Sequence, residues 1–239
     1  MSENAWSSLG LLARNVDDSM EHSDTILTEV SWTLLTLASH MECHKDFITF
    51  IEWSTLLRLT NCDHVIIKSN VCSLLGYLAL NGISLISLSN FIDELSLVVA
   101  KNFLDLLIFS GKVTSHIEVK ETVSTTLANL SLNGTFFTST PLIFTEENAR
   151  KICDKAIDML VLWLMDPNEV KLALGAVNTI TNIILVGDEK RNRLFVERNG
   201  LFPLSKLLQV NNVDILKTVT VAISLLASHR NSLHEIYTY

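Results

Sequence analysis

The sequence predicts an all-α protein, a right-handed solenoid in which about five similar helical repeats stack along the chain. Two observations support this fold class. A short phrase, apolar-x-x-apolar followed by a small or apolar residue, recurs five times, with its first residue at Leu34, Leu75, Leu127, Ile180 and Ile223. The chain also has only eight glycines and three prolines, too few for many short strands, although 48% of its residues are hydrophobic. The phrases are 41 to 53 residues apart, and repeats of this length bury their apolar faces only by stacking on their neighbours.

The domain organisation follows from where the helical periodicity begins. Residues 1–22 are acidic and carry one short apolar cluster, so we expect an N-terminal segment or an incomplete capping helix there. From Asp24 onward the period is continuous, which predicts a single helical repeat domain over residues 23–239.

Apolar residues at three- and four-residue steps predict the helices of the first half. We expect one helix over residues 24–41 and another over 45–59. A third is expected from Asp63 to Asn81-Gly82, because Asn-Gly suits the left-handed conformation that closes a helix. A fourth should cover residues 89–110 and end at Gly111.

The second half begins with a helix expected from Glu118 to Asn133, followed by a loop over residues 138–144 that contains a proline. Thr145 and the two glutamates after it are typical of a helix start, and this helix should run to Met165. Asp166-Pro167 then predicts the start of the next helix. No segment alternates with period two, so no sheet is expected.

The segment over residues 188–208 resembles the connection between two armadillo repeats. In that family a short helix leads through Gly-x-x-Pro-Leu into a second helix that ends in Leu-Leu. The corresponding residues here are Gly200, Pro203, Leu204, Leu207 and Leu208. A longer third helix follows in the family, and residues 120–132, 171–185 and 214–228 are similar to it. The resemblance implies an armadillo-like superhelix, with HEAT-like or mixed helical repeats as the alternative.

If the five phrases are third helices, the residue two places after each first apolar residue lies opposite the buried side. Residues four places before and after it share the same stripe. The five stripes are Trp32-Thr36-His40, Ser73-Tyr77-Asn81, Thr125-Asn129-Asn133, Asn178-Asn182-Val186 and Val221-Leu225-His229. The three central stripes are polar or amphipathic, which predicts a groove open to water. The predicted partner-binding residues are Ser73, Tyr77, Asn81, Thr125, Asn129, Asn133, Asn178 and Asn182.

For two of these asparagines the predicted role is more specific. In armadillo proteins of the nuclear-import adaptor type, an asparagine at the central place of the third helix clamps the backbone of an extended peptide. Asn129 and Asn182 match that place, so the resemblance implies this role for both. An amide side chain can donate to and accept from a peptide unit whatever its side chains are. The alternative interpretation is that both asparagines bridge neighbouring helices or face water.

Composition excludes several classes of function. A formal net charge of −8 argues against nucleic acid as the main ligand and mildly favours a basic or neutral polypeptide. No run of about eighteen apolar residues predicts a membrane span. The N-terminus lacks the layout of a secretory signal, and four cysteines are typical of an intracellular, reduced protein. We therefore expect a cytoplasmic location, with the nucleus as the alternative.

Chemistry at a metal or nucleophile is not indicated. The best metal-ligand candidates are His40, Cys43, His44, Cys62 and His64, but their spacing matches no zinc motif. No Gly-x-Ser-x-Gly motif and no glycine-rich phosphate loop occur. We predict no cofactor, no metal and no catalytic residue, and hence no enzyme.

Three functional hypotheses remain. The first is a scaffold or adaptor that binds a peptide or helix of a partner protein in the groove. The second is regulation of a small GTPase or another signalling protein through surface loops, with residues 138–144 as the loop to test. The third is structural assembly, in which copies of the chain associate end to end as a homo-oligomer.

Overall fold

A computed structural model describes residues 3–16, 22–40, 43, 47, 50–88, 94–131, 143–166, 168–186 and 189–228. These ranges are almost entirely helical, and no strand occurs in them. The prediction of an all-α protein is therefore confirmed.

The chain divides into two compact units, Met1–Val123 and Ser124–Tyr239. The first unit contains α1 (Glu3–Asn15), α2 (Ser23–Ala38), α3 (Trp53–Asn61), α4 (Val65–Leu88) and α5 (Glu94–Val113). Helix α6 (Ile117–Ser131) begins in the first unit and ends in the second. The second unit continues with α7 (Ile143–Trp163), α8 (Val170–Val186), α9 (Glu189–Glu197), α10 (Leu201–Leu207) and α11 (Val213–Ser228).

The five recurring phrases lie on α2, α4, α6, α8 and α11, which we call the third helices. The first residue of each of the first four phrases is fully buried, and these residues are Leu34, Leu75, Leu127 and Ile180. In the last phrase Ile223 is only half-buried, although its neighbour Leu226 is buried. The phrase thus supplies the core contacts of the third helices, as the periodicity predicts.

In the first unit, α2 and α4 meet through a buried polar pair. The Asn70 amide nitrogen donates to the Ser31 hydroxyl oxygen at 3.0 Å. Ser31 precedes Leu34 by three residues, and Asn70 precedes Leu75 by five. The buried pair therefore lies at fixed places relative to the two phrases.

In the second unit, α6 and α8 meet at the same two places. Ser124 precedes Leu127 by three residues, and Gly175 precedes Ile180 by five. The two helices approach so closely that a Cβ atom on Gly175 would lie 2.3 Å from Ser124 Oγ and 2.9 Å from the Ser124 carbonyl carbon. The phrases therefore mark equivalent positions in both pairs, which supports the repeat interpretation.

A second contact fixes the relative direction of α6 and α8. The Asn182 amide nitrogen donates to Ser131 Oγ at 3.1 Å. Ser131 and Asn182 each lie seven residues beyond the first contacting pair, Ser124 and Gly175. Because both residues advance by the same step, the two helices run in the same direction at this interface.

The linker between α9 and α10 has the predicted form, with one difference. Asn199, not Gly200, adopts the left-handed conformation, with φ of 60°. Gly200 is needed for space, since a Cβ atom there would lie 2.2 Å from the ring of the buried Phe195. Pro203 lies in the first turn of α10, where no N–H partner is lost.

Several predicted helix boundaries are wrong. The helix expected over residues 45–59 is interrupted, because the backbone is extended at Glu52 and α3 begins at Trp53. Helix α4 continues through Asn81-Gly82 to Leu88, because apolar residues keep the helical period beyond the glycine, which costs only about 1 kcal/mol inside a helix. Helix α5 likewise passes through Gly111 and ends at Val113. Helix α8 begins at Val170, because the Asp166 carboxylate accepts from the backbone N–H of Asn168 and forms a turn before the helix.

Two other predictions fall partly outside the described residues. Most of the expected loop over residues 138–144 lies there, but its last two residues, Ile143 and Phe144, already belong to α7. The expected N-terminal segment contains α1, and the Arg58 guanidinium on α3 donates to the carbonyl oxygens of Val16, at 2.7 Å, and Ala13. The domain boundary after residue 22 stays a prediction.

Candidate functional site

The candidate site in the second unit lies on the parallel helices α6 and α8. Thr125 and Asn129, four residues apart on α6, are both exposed. Asn178 and Asn182, four residues apart on α8, are both half-buried. The neighbouring residues of the two phrases are buried, so the four polar side chains lie at the accessible edge of the core. We call these four residues the polar row.

Asn129 presents a complete amide group to solvent. Its side chain is exposed, and it makes no hydrogen bond to any other residue within the described ranges. An unengaged amide keeps two donor hydrogens and an acceptor oxygen available for a ligand. Asn129 can therefore pair with both the C=O and the N–H group of an extended peptide.

Asn182 has a different environment, because its amide nitrogen is held by α6. The two hydrogens are donated to the Ala128 carbonyl oxygen at 3.2 Å and to Ser131 Oγ at 3.1 Å. Ser131 itself is fully buried and donates to the Ala128 carbonyl oxygen at 2.9 Å. Asn182 thus bridges neighbouring helices through its nitrogen, and only its oxygen is left to accept a hydrogen bond from a ligand.

We expect Asn182→Ala to lower the free energy of unfolding by about 1–2 kcal/mol, because two hydrogen bonds between α6 and α8 are lost. The measurement is urea unfolding followed by circular dichroism. Asn211→Ala is the matched control, since Asn211 is exposed and lies outside the row. Equal unfolding midpoints for the two variants would contradict the bridging role.

The first unit carries the predicted residues of α4. Ser73 is half-buried and Tyr77 is 41% exposed. For Asn81 only the backbone is described, within α4, and Asn133 lies outside the described residues. One residue that the prediction did not include is Trp32 on α2, whose side chain is 59% exposed. It occupies the first stripe, so its sequence position could have identified it.

The described residues also give evidence on metal binding and on thiol reactivity. Across the ranges that the structure covers, no three or more His, Cys, Asp or Glu side chains are grouped to hold a metal ion. Burial raises the pKa of the Cys72 thiol to about 12, against a smaller lowering by its hydrogen bond to Ser110. A thiol of this pKa is not a thiolate at neutral pH, so Cys72 is a core residue and not a nucleophile.

Comparison with known proteins identifies the fold. No protein-family model and no curated protein matches this sequence. Among solved structures, the designed armadillo repeat protein YIII(Dq)4CqI is similar, with a TM-score of 0.68 and 19% identity over 96% of this chain and 87% of the other. A computationally designed armadillo repeat protein for modular peptide recognition has a TM-score of 0.67 and 20% identity, over 93% of this chain and 82% of the other.

A third similar structure contains a ligand. It is the designed armadillo repeat protein YIII(Dq.V1)4CPAF in complex with the peptide (KR)4, with a TM-score of 0.65 and 20% identity over 94% of this chain and 91% of the other. Likeness at this level of identity establishes the fold. The chain has an armadillo-like repeat helical fold, and the resemblance seen in the sequence is confirmed.

None of the described helices combines the length and the hydropathy that crossing a bilayer requires.

Proposed function

We propose that this chain is a non-enzymatic scaffold or adaptor that binds an extended peptide segment of a partner protein on its third helices. The observation that carries the proposal is the exposed amide of Asn129, which has no hydrogen-bond partner among the described residues and lies beside a buried core. The designed neighbour in complex with a peptide supports this function for the fold. The low cysteine content, four in 239 residues, supports the proposed location in the cytoplasm.

Asn129 and Asn182 have different roles in the proposed binding of the peptide backbone. Asn129 donates to a peptide carbonyl and accepts from a peptide N–H, whereas Asn182 only accepts, because its nitrogen remains bound to α6. Thr125 and Asn178 flank them, one turn earlier on each helix, and add polar contacts. In the first unit, Ser73, Tyr77 and Asn81 are proposed to contact the partner in the same manner.

We expect Asn129→Ala to weaken peptide binding by between about fivefold and about 150-fold, because two hydrogen bonds of about 0.5–1.5 kcal/mol each are lost. The protein should not unfold, since alanine is the better helix former at an exposed position. Binding is measured by fluorescence anisotropy with a peptide selected from a random display library against the full chain. Thr218→Ala on α11 is a control for changes at a half-buried polar position elsewhere in the same unit.

The peptide itself offers a second readout of the clamp. Methylating each backbone nitrogen of the selected peptide in turn removes one N–H donor at a time. Methylation at the clamped residue should weaken binding to the wild type but add little to the effect of Asn129→Ala. If Asn129→Ala binds the peptide as tightly as the wild type, with intact circular dichroism, the proposed function at this row is wrong.

A further inference from the structure

The third helices share a packing face, through which one third helix contacts the next. It consists of the first residue of the phrase and the residues seven before, three before and four after it, which share one side of the helix. On α2 this face meets α4 through Ser31, and on α6 it meets α8 through Ser124 and Ser131. All four residues are buried on α2 and on α8, and they are Leu27, Ser31, Leu34, Ala38, Ala173, Val177, Ile180 and Ile184.

On α11 the packing face is accessible. Its four residues are Leu216, Thr220, Ile223 and Ala227. The first and third are half-buried and the other two are exposed, whereas the equivalent residues of α8, which packs against α11, are at most 1% exposed. The side of α11 that corresponds to a helix–helix contact elsewhere in the chain is therefore open to a further helix.

Covering this face would leave no charge and no hydrogen-bond donor without a partner. Leu216, Ile223 and Ala227 are apolar. The Thr220 hydroxyl donates to the Leu216 carbonyl oxygen at 2.7 Å within α11 itself. Removal of the face from water therefore buries apolar area without the cost of an unsatisfied donor.

The side chains of the face are complementary to one another when two copies of α11 pack antiparallel. With the crossing point between residues 221 and 222, Leu216 of each copy lies opposite Ala227 of the other, and Ile223 lies opposite Thr220. Each pair combines a larger side chain with a smaller one, so the two surfaces interdigitate. A parallel arrangement in register would instead place alanine opposite alanine and leave a gap. The antiparallel arrangement has two-fold symmetry, which is the commonest symmetry of protein dimers.

The charge of the two units favours contact between copies at this place. The first unit, Met1–Val123, contains 15 Asp and Glu residues against 7 Lys and Arg residues, a formal charge of −8. The second unit, which contains α11, has 11 of each and is formally neutral. Two copies that meet through their second units therefore avoid the repulsion that two acidic first units would cause.

We propose that the packing face of α11 binds the same face of a second copy of this chain, with the two helices antiparallel. The hypothesis of self-association thereby acquires a specific surface and a specific symmetry. This inference goes beyond the proposed function, because its residues lie outside the polar row, and the two proposals can fail independently.

Sedimentation velocity of the full chain across micromolar concentrations tests the dimer. We expect the mass to rise with concentration from that of one chain toward that of two. The dissociation constant should be on the order of 10 µM, because one helix face gives an interface at the small end of the known range. Thr220→Glu should raise it at least about tenfold, since the dimer would bury an unpaired carboxylate against Ile223 of the second copy.

Val221→Glu is the matched control. Val221 is exposed and lies about 100° around the helix from Thr220, so this variant adds the same charge outside the packing face. It should dimerise like the wild type. Circular dichroism of both glutamate variants checks that the helices are intact.

Cysteine cross-linking tests the antiparallel arrangement. Two copies of residue 220 lie about 4.5 Å apart along the helix axis, whereas two copies of residue 227 lie about 16 Å apart. A disulfide joins Cα atoms no more than about 7 Å apart, so Thr220→Cys should form a covalent dimer under oxidising conditions and Ala227→Cys should not. The wild type gives the background from its own four cysteines.

Several results would overturn the inference. A chain that stays monomeric at all concentrations would mean that something other than a second copy covers this face. The inference also fails if Thr220→Glu dimerises as well as Val221→Glu does, or if Ala227→Cys cross-links as readily as Thr220→Cys. In each of these cases, sensitivity of the selected peptide to Asn129→Ala would leave the proposed function intact.

Discussion

Replacing Phe195 with alanine is expected to lower the free energy of unfolding by about 3–5 kcal/mol. Phe195 is only 1% exposed and is among the largest fully buried side chains of the described residues. Its ring lies under the linker, where Gly200 has no side chain. Loss of the ring removes buried apolar area and leaves a cavity beneath the start of α10. Urea unfolding followed by circular dichroism measures the effect.

A double-mutant cycle tests whether Gly200 is required for the reason given. Gly200→Ala alone places a Cβ atom within 2.6 Å of three atoms of the Phe195 ring, so it should destabilise the protein. In the Phe195→Ala background the same change meets no ring and should cost nothing further. Additive effects would show that the Phe195 ring is not what excludes a side chain at position 200.

Gly175→Ala should lower the free energy of unfolding by about 2 kcal/mol. The added methyl group collides with Ser124 on α6, including its backbone carbonyl carbon at 2.9 Å. The cost should therefore lie near the upper end of the range of about 1–3 kcal/mol that is typical of overpacking. The higher helix propensity of alanine offsets about 1 kcal/mol of this cost. The measurement is again urea unfolding followed by circular dichroism.

Ser124→Gly is the partner variant for this test. It removes the Oγ and Cβ atoms that lie 2.3 and 2.8 Å from the added methyl, but not the backbone carbonyl carbon. Combining the two substitutions should therefore recover part of the loss caused by Gly175→Ala. A Gly175→Ala variant as stable as the wild type would mean that the two helices are not in the close contact described.

Local signals in the sequence were sufficient for the elements whose ends are set by neighbouring residues. The position of the linker was predicted correctly from Gly200 and Pro203, although Asn199 takes the left-handed conformation and Gly200 is required by the Phe195 ring. Asn81-Gly82 carries a similar local signal, yet α4 continues through it, since the apolar period after the glycine outweighs the turn preference. The third helices were predicted because burial of one helix face requires apolar residues at three- and four-residue steps. A single glycine or polar residue does not remove this pattern.

The candidate site was predictable in position but not in detail. Asn129 and Asn182 occupy the same place in their phrases, so the sequence gives no reason to treat them differently. Their difference arises from Ala128 and Ser131, which accept from Asn182 across more than fifty residues of chain.

Parallel packing has an electrostatic consequence for the third helices. Where two helices such as α6 and α8 run in the same direction, their peptide dipoles align and both positive ends lie on the same side of the pair. Each third helix has a carboxylate within two residues of its start: Asp24, Asp63, Glu118, Glu169 and Asp214. These side chains offset the aligned dipoles, each by about 0.3–1 kcal/mol. Five of the acidic residues of the chain therefore stabilise the helices at whose starts they lie.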